Sequence, residues 1–467
     1  SNWQTWHNAA MLWGGAVIGD EAWIRKAIEQ PGQGFAFQMS VCLSIEGMWY
    51  ENSWGYHFYT LDALVETCEG ARRLGIDLWG HPNLKKMFLL PIRYAMANGS
   101  LPRFGDDVNA STQRIGSLGE PAYLVYREPL LVPYLSKTPT LENIMLGRKI
   151  ESQALEHKPS PISEVMPSAG HAILRTAGPA GLTAAFTFSP YGGGHGHYDK
   201  LSFVLFGYQR ELAVDPGRAA SQAYRLPIHK HWYKATISHN TVVIDEQSQE
   251  PVAGTLRLFA GNDQYAAVVA DCDTAYKGVA HRRLLVMTPT YLLVFDRLDS
   301  PDKEHQFDWL YHNRGTRAQC DAAMDPADLA AEPPGYQHIR NARQGTSDGR
   351  IRVAFHDESV TTHMTVAGEA PTQVVVGDGP GSSILDRVPL AMIRRTGRGA
   401  RFVAVIEPVT GSAKPSVSSV AWRQENDDVI VEVVSGQNSE SVRLAGDLGI
   451  EIRSGQKTVL ASQPAGG

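Results

Sequence analysis

The spacing of hydrophobic and polar positions changes partway along the chain. Up to about Leu155, apolar residues recur every three or four positions, which places them on one face of a helix. Gly or Pro interrupts several of these stretches, so the pattern favours short helices joined by tight turns. The predicted helices are Ala9–Ile18, Glu21–Glu29, Phe35–Leu43, Tyr56–Arg73, Leu84–Ala97 and Leu141–Leu155. Successive helices of this kind predict stacked helical hairpins.

From about His171 onward, the pattern is typical of strands. Short apolar runs are separated by Gly, Pro, Asp and Asn, which predicts an antiparallel sandwich. The proline-containing segment Lys158–Ser168 is the predicted linker. We therefore predict an α+β fold with a helical domain over residues 1–157, a sheet domain over 158–395 and a small C-terminal β domain over 396–467. The predicted strands are Leu201–Phe206, Thr241–Ile244, Ala266–Ala270, Leu284–Met287, Tyr291–Phe295, Val353–Phe355, His363–Val366, Gln373–Val376 and Val429–Val434.

Length, composition and charge narrow the class of protein. At 467 residues the chain exceeds what one hydrophobic core usually serves, so two or three domains are expected. Its 43% apolar and 20% charged residues are typical of a globular protein. The net charge of -6 gives no support for a nucleic-acid partner, which would need clustered Lys and Arg. An acidic polysaccharide stays open, because a cleft can be locally basic on an acidic protein.

The cysteines do not indicate a metal site, and the apolar stretches do not indicate a membrane span. The thiols are scattered without the spacing of metal ligands, and we expect them to be buried. No stretch of the sequence is long and apolar enough to span a bilayer. The cysteines are Cys42, Cys68, Cys272 and Cys320.

Two histidines lie in a glycine-rich segment just before a predicted strand. Residues 191–200 read YGGGHGHYDK, with His195 and His197 two positions apart. Glycine lets the backbone approach a neighbouring group closely, and side chains at i and i+2 of an extended segment share a face. The segment therefore predicts two imidazoles in one site, although alone it also fits a loop with surface histidines.

A carboxylate and a third histidine follow downstream at the edges of strand-like runs. Asp215 lies in ELAVDPG, and His239 lies in ISHNTVV. With His197 they form a ligand set suited to Zn²⁺, with water or another ligand in the last position. By residue type alone the signal is modest, because sandwiches often carry His or Asp at strand ends.

Three further segments carry aromatic or polar groups suited to a sugar. Residues 46–59 read EGMWYENSWGYHFY and open a predicted helix, so Trp54 or a tyrosine there can stack on sugar rings. Residues 2–8 read NWQTWHN, and residues 224–233 read YRLPIHKHWY. An amide can stabilise a substrate enediolate, and a basic cluster attracts an acidic polymer. Ordinary helix packing and a solvated basic loop are the alternatives.

Taken together and in this order, these motifs resemble the heparinase II/III family of polysaccharide lyases, a group that includes oligoalginate lyases. The resemblance rests on the Asn-Trp-Gln-x-Trp start, the aromatic segment, Gly-His-Gly-His-x-Asp-x-Leu-Ser-Phe, the Asp-Pro-Gly turn and Ser-His-Asn-Thr-Val. It implies a toroid of helical hairpins followed by antiparallel sheets. It also implies β-elimination across a glycosidic bond next to a uronate.

The resemblance assigns roles position by position. Asn2 matches the amide that neutralises the substrate carboxylate, Tyr56 the catalytic tyrosine and His195 the active-site histidine. The metal ligands are His197, Asp215 and His239, with a zinc ion that organises the loop carrying His195. Candidates for substrate contact are Trp3, His7, Trp54, Tyr224, Arg225 and Tyr233.

Two of these assignments stay open. Some relatives place a histidine directly after the asparagine, but this chain has Trp3, so His7 is only a loose candidate for that role. Either Tyr224 or Tyr233 could match the further substrate-contacting tyrosine.

The implied chemistry needs a base for the C5 proton and an acid for the leaving oxygen. Tyrosine titrates near ~10 when unperturbed, so Tyr56 needs nearby positive charge to act as a base near neutrality. His195 can be the base for one C5 configuration while Tyr56 is the acid; for the other, Tyr56 can serve both steps.

The expected partner is an acidic polysaccharide or oligosaccharide of the heparin, heparan sulfate or alginate type, and the expected location is the periplasm or the exterior. We expect an additional N-terminal segment, on the same chain or as a separate fragment, because family toroids contain more helices. The sequence leaves homo-oligomer formation open. It also leaves two other classes open, a glycan-binding protein on the lyase scaffold and a zinc hydrolase.

Overall fold

The computed structural model describes residues 1–135, 141, 162–369 and 371–462. Two compact units are distinguished by their internal contacts. The helical unit comprises Ser1–Ser160 together with Gly192–Gly196, and the sheet unit comprises Pro161–Tyr191 and His197–Gly467. The short segment that carries His195 therefore belongs to the helical unit, although strands flank it in the sequence.

Successive helices make up the described part of the helical unit. Their starts and ends follow local chemistry: the Asp20 side chain accepts hydrogen bonds from the first turn of α2, and Gly19 closes α1 in the left-handed conformation at φ 74°. The helices are α1 (Asn2–Ile18), α2 (Glu21–Glu29), α3 (Phe35–Val41), α4 (Trp54–Arg73), α5 (Pro82–Tyr94) and α6 (Ile115–Tyr126).

One helix was not predicted, and one prediction cannot be compared. Helix α6 contains Pro121 together with Gly116 and Gly119, which weaken the helical signal in the sequence. The predicted helix Leu141–Leu155, apart from Leu141, and the first residues of the predicted linker Lys158–Ser168 lie outside the described residues.

The strands of the sheet unit form four antiparallel sheets. The first is five-stranded, with β1 (Glu164–Met166), β2 (His171–Arg175), β3 (Thr183–Thr187), β4 (Phe203–Gly207) and β5 (Arg210–Ala213) in sequential order. The strands that follow are β6 (Val242–Ile244), β7 (Thr255–Gly261), β8 (Ala266–Asp271), β9 (Ala280–Met287), β10 (Leu292–Asp299), β11 (His305–His312), β12 (Arg317–Cys320), β13 (Asp325–Pro326), β14 (Arg340–Ser347), β15 (Ile351–His356), β16 (Val360–Val366), β17 (Thr372–Pro380), β18 (Arg387–Gly397) and β19 (Gly399–Thr410). The C-terminal sheet contains β20 (Val417–Glu425), β21 (Asp428–Ser435), β22 (Asn438–Leu444), β23 (Ile450–Ser454) and β24 (Lys457–Ser462).

The eight-stranded sheet is covered on both faces. Its strand order is β12-β15-β16-β19-β10-β9-β8-β7, and the six-stranded sheet has the order β13-β14-β17-β18-β11-β6. Along β10, Leu292 and Val294 join a core shared with the five-stranded and six-stranded sheets, whereas Leu293 and Phe295 join a core shared with the C-terminal sheet. Alternate side chains point to opposite faces, so burial of both faces explains the uninterrupted apolar run.

The predicted boundary between residues 395 and 396 does not separate domains. Strand β18 runs through it and pairs with β11 and β17. Strand β19 pairs with β10 and β16 inside the eight-stranded sheet. The separate C-terminal sheet begins only at Val417.

The predicted fold class, helices followed by antiparallel sheets in an α+β protein, is confirmed. Among the residues that the structure describes, no helix has the length and apolar character needed to cross a membrane.

Candidate active site and metal centre

The position of Tyr56 is fixed by an aspartate that binds the start of its helix. The buried carboxylate of Asp107 accepts hydrogen bonds from the backbone N–H groups of Trp54 (2.9 Å) and Gly55 (2.7 Å) and from the Ser53 hydroxyl (2.8 Å). These contacts satisfy donors that a helix start leaves unpaired. Burial raises the pKa of Asp107 to about 6, even though the hydrogen bonds act in the opposite direction. Tyr56 is therefore held on the first turn of α4.

The backbone of the His195 segment packs tightly against two parts of the helical unit. The carbonyl of His195 accepts a hydrogen bond from the N–H of Asp106 at 3.0 Å. A side chain at Gly105 would bring its Cβ within 2.5 Å of that carbonyl, and a Cβ at Gly192 would collide with the carbonyl of Glu51. Gly105 also adopts φ +56°, which favours glycine. Glycine is required here because backbones approach closely, as the motif suggested.

The imidazole of His195 is surrounded by polar and aromatic groups on three sides. Its Nδ1 lies 2.8 Å from Oδ2 of Asp106, and its Nε2 lies 3.9 Å from Oε1 of Glu51. The ring of Tyr56 stacks on it with 3.8 Å between centroids and 24° between planes. The side chain of His195 keeps 31% of its surface exposed, whereas that of Asp106 keeps 6%. A solvent-accessible histidine is thus oriented by a buried carboxylate.

Asn2 is connected to the same group through Glu51. Its amide Nδ2 donates to Oε2 of Glu51 at 2.9 Å, and the indole Nε1 of Trp49 donates to the same oxygen at 2.7 Å. Asn2 is 3% exposed, so it is docked although it is the second residue of this chain. A carboxylate only accepts hydrogen bonds, so Glu51 fixes which end of the Asn2 amide faces it. Asn2, Glu51, Tyr56, Asp106 and His195 form what we call the tyrosine–histidine cluster.

Three predicted substrate contacts lie outside this cluster. Trp54 is fully buried, and its indole donates to the carbonyl of Pro102 at 3.0 Å, so its role is to pack the helical core and the predicted stacking role is wrong. Trp3 and His7 lie on the exposed face of α1, one helical turn apart, whereas Asn2 lies on the buried face. None of the contacts described for the cluster involves Trp3 or His7, so their contact with substrate stays a prediction.

The predicted metal ligands come together within the sheet unit. The ligand atoms of His197, Asp215 and His239 all lie within 4.8 Å of one another. Nδ1 of His239 lies 2.7 Å from Oδ2 of Asp215, and the buried Nε2 of His239 has no hydrogen-bond partner in the described part of the chain. A buried imidazole nitrogen without a partner, beside a second imidazole and a carboxylate, fits the requirements of a zinc ligand.

Charges around this centre are arranged to keep Asp215 ionised. Burial alone would raise the pKa of Asp215, but His239 and His197 lower it below its usual value. Asp199 and Lys200 form a buried ion pair nearby, with Nζ 2.6 Å from Oδ1. Burial opposes ionisation of Asp199 too, and Lys200 and the two histidines again bring its pKa below the usual range. An ionised carboxylate is the form that binds a metal ion.

The two tyrosines that the sequence left open differ in exposure. Tyr233 is fully buried in a cluster with Ile237 and Leu310. Burial raises its pKa, and its hydroxyl has no hydrogen-bond partner among the described residues. Tyr224 is half-buried, and its hydroxyl accepts a hydrogen bond from Nε of Arg225 at 2.9 Å. The structure therefore favours Tyr224 with Arg225 as the accessible pair and corrects the prediction for Tyr233.

Sequence reasoning missed the two carboxylates of the cluster. Glu51 lay within the quoted aromatic segment but was not singled out, because its signal is only that of one acidic residue among aromatics. Asp106 and Asp107 follow Gly105, and a glycine next to paired aspartates was the available signal. Their roles depend on contacts with residues far away in the sequence, which no local pattern contains.

Comparison with known proteins finds two family models and two sequence relatives. Residues 158–388 match the family model described as Heparinase II/III-like, C-terminal, and residues 1–100 match the model described as Alginate lyase. An exo-oligoalginate lyase of Saccharophagus degradans is 29% identical, over 53% of this chain and 39% of its own length. An alginate lyase of Stenotrophomonas maltophilia is 28% identical, over 51% of this chain and 36% of its own length. The resemblance to the heparinase II/III family is confirmed.

Solved structures with the same fold superpose on nearly the whole chain. The crystal structure of a heparinase III superposes with a TM-score of 0.70 at 15% identity, covering 93% of this chain and 66% of the other. The heparan sulfate lyase HepC of Pedobacter heparinus superposes with a TM-score of 0.69 at 14% identity, covering 94% and 65%. At this identity the likeness establishes the fold. The chain spans less than two thirds of the length of these relatives.

Proposed function

We propose that this chain is the catalytic part of a lyase that cleaves a uronate-containing acidic polysaccharide by β-elimination. The observation that carries the proposal is the tyrosine–histidine cluster. A phenol, an imidazole paired with a carboxylate, and a fixed amide lie together there, with the imidazole partly exposed. Binding a glycan would not require an Asp–His pair stacked on a tyrosine, whereas proton transfer would.

The proposed reaction has two proton transfers. A base removes the proton from C5 of the uronate, and the electron pair forms the C4–C5 double bond as the C4–O bond breaks. An acid then gives its proton to the leaving glycosidic oxygen. Removal at C5 is feasible only when the neighbouring carboxylate is neutralised, because it must take up the developing charge as an enediolate.

The cluster supplies a group for each requirement. The amide of Asn2, oriented by Glu51, faces the uronate carboxylate in the proposed complex. If Nδ1 of His195 donates to Asp106, then Nε2 is the atom that exchanges a proton. His195 is the base and Tyr56 the acid for one C5 configuration, and Tyr56 serves both steps for the other. Tyr224 and Arg225 are proposed to contact the polymer.

The proposed substrate class is an alginate-type or heparan-type polyuronate. The sequence relatives at 29% and 28% identity are alginate lyases by name, and this favours testing alginate first. From the polysaccharide substrate class we also propose a periplasmic or secreted location.

We also propose that His197, Asp215 and His239 hold a structural zinc ion. All three side chains are nearly fully buried, at 1%, 4% and 0% exposure. A catalytic zinc needs an open position that water and substrate can reach, so this burial argues against a zinc hydrolase. His197 follows His195 by two residues, so a fixed His197 restrains the end of the catalytic segment. Zinc analysis of the purified chain tests whether the ion is bound, and thermal unfolding before and after chelation tests whether it stabilises the fold.

The decisive experiment measures unsaturated product. A panel of alginate, heparan sulfate and heparin should yield, with at least one member, a 4,5-unsaturated uronate that absorbs in the near ultraviolet. Tyr56→Phe removes only a hydroxyl and should lower kcat by about 10²–10⁴-fold with KM changed far less. Tyr59→Phe is the matched control, because it makes the same change on the same helix at a residue that is 41% exposed.

Asp106→Asn extends the test to the imidazole. An asparagine amide can donate to Nδ1 and so favour the tautomer in which Nε2 carries the proton, which removes the proposed base. The double variant Tyr56→Phe with His195→Ala should lose much less than the product of the single effects, since both act on one step. Near wild-type kcat in Tyr56→Phe would contradict the assignment, and binding without product from any polymer would favour a glycan-binding protein.

A further inference from the structure

The three proposed metal ligands lie on separate segments of the sheet unit, and one buried amide is bonded to parts of all three. Asn240 follows His239 directly and is 0% exposed. Its Nδ2 donates to the carbonyl of Val214 at 3.0 Å, next to Asp215. The same Nδ2 donates to the carbonyl of Phe203 at 2.8 Å, on the strand that follows the His197 segment. The amide thus bridges the segments of the other two ligands.

The remaining polar atoms of Asn240 are also bonded. Its N–H donates to the hydroxyl of Ser202 at 3.0 Å, and its Oδ1 accepts from the N–H of His312 at 2.7 Å. These bonds fix both the backbone and the flip of the side chain, because Oδ1 faces a donor and Nδ2 faces two acceptors. The amide therefore has one orientation in which all of its hydrogen-bonding groups are satisfied.

A buried arginine also binds two of these segments through their backbone carbonyls. Nη1 of Arg283 donates to the carbonyls of Asn240 and Leu201, each at 2.5 Å. The guanidinium is held in turn by Asp296, with Nε 2.7 Å and Nη2 2.8 Å from its two oxygens. Leu201 adopts φ +61°, an uncommon conformation for a residue with a side chain. Through its bonds to the carbonyls of Leu201 and Asn240, the arginine therefore links the segment that follows His197 to the segment that contains His239.

We propose that Asn240 is a positioning residue that preforms the metal centre by holding the segments of His197, Asp215 and His239 in register. This inference rests on the zinc ion of the proposed function. A side chain that bridges the ligand segments holds them in place before the metal binds, so that metal binding has less ordering to impose. Loss of that side chain should therefore weaken zinc affinity more than a loss of stability elsewhere in the protein does. Partners beyond the ligands typically change metal affinity by about 10–100-fold.

The test compares zinc affinity in two variants of the full chain. Asn240→Ala removes both bridging donors. Asn8→Ala is the matched control, because Asn8 is a buried amide of the helical unit whose Nδ2 donates to the carbonyl of Gln33 at 2.8 Å. Each apo protein is titrated with zinc against a chromophoric chelator, and thermal unfolding is recorded in parallel. We expect both variants to lose stability, and only Asn240→Ala to lose zinc affinity, by about 10–100-fold.

The outcomes separate this inference from the proposals on which it rests. Unchanged zinc affinity in a folded Asn240→Ala would overturn the positioning role while leaving the ion in place. A wild-type chain that takes up no zinc would remove the ion and the role together, and lyase activity is judged separately by its unsaturated product. If Asn240→Ala does not fold, Asn240→Ser keeps one donor and should give a smaller loss of affinity; an affinity equal to wild type in that variant also overturns the role.

Discussion

At the scale of single residues, the buried hydrogen bonds of His57 require its imidazole to be neutral. His57 follows Tyr56 on α4 but points into the core, where it is fully buried. Its Nδ1 accepts from the N–H of Trp49 at 3.4 Å, and its Nε2 lies 3.0 Å from the carbonyl of Met87. These partners fit only the tautomer with hydrogen on Nε2. Burial lowers the pKa of His57 to about 4, although the bond to Met87 opposes the shift.

This shift predicts a loss of stability in mild acid. A folded-state pKa near 4, below the unfolded value of about 6.5, means that His57 contributes stability fully above about pH 6.5. That contribution disappears as the pH falls towards 4 and amounts to roughly 3 kcal/mol over the whole range. Urea unfolding of wild type and His57→Gln at pH 7, 5.5 and 4.5 should show a steeper decline for wild type. Parallel curves would show that other groups cause the acid sensitivity.

The sequence identified reactive groups better than it identified their partners. His197, Asp215 and His239 were recognised by residue type and motif order, and the structure brings their ligand atoms within 4.8 Å. Glu51 and Asp106 were missed, because a carboxylate becomes a positioning group only through the residue it meets in space. Trp54 was misassigned for the same reason, since an indole at a helix start can face either solvent or core.

At the scale of elements, the turn at Gly105 packs directly against the backbone of the His195 segment. Gly105→Ala adds the cost of a left-handed conformation, about 1–2 kcal/mol, and also pushes a Cβ against the carbonyl of His195. Gly181 has the same φ of +56° but open space around it, so Gly181→Ala carries only the backbone cost. We expect both variants to lose Tm, Gly105→Ala more than Gly181→Ala because of the added Cβ contact, and we expect a large loss in kcat only for Gly105→Ala. Equal activity in the two would mean that the His195 segment tolerates displacement.

Element prediction succeeded where the apolar period was regular and failed where helix breakers intervened. Helix α2 was predicted with its observed bounds, Glu21–Glu29. Helix α6 was missed because two glycines and a proline conceal its period. Several strands were predicted shorter than they are, since residues such as Arg282 and Asp299 extend them through backbone pairing rather than apolar character.

At the scale of the whole molecule, the C-terminal sheet covers one face of the eight-stranded sheet. Val431 of β21 is 1% exposed in the shared core, whereas its neighbour Glu432 points to the other face of the strand. Val431→Asp places an unpaired charge in that core and should lower the free energy of unfolding by about 3–5 kcal/mol. Glu432→Ala should change it far less. Urea unfolding of both variants measures the difference, and similar values would contradict the role of this core.

Domain boundaries were the least predictable feature at this scale. The predicted domain boundary lies between residues 395 and 396, but β18 continues through them. Membership of a sheet depends on pairing between strands that are far apart in the sequence. Nothing local to β18 or β19 reveals that one belongs to the six-stranded sheet and the other to the eight-stranded sheet.

The pairing of β10 with β19 also sets an order of events during synthesis. Leu292 pairs with Ile406 and Asp299 with Gly399, so the middle of the eight-stranded sheet cannot close until the ribosome has passed β19. At typical translation rates that interval lasts on the order of ten seconds. For that time β10 exposes an unpaired, apolar edge. Edges of this kind bind chaperones and promote aggregation. Production of this protein should therefore be sensitive to translation speed and temperature between residues 299 and 399.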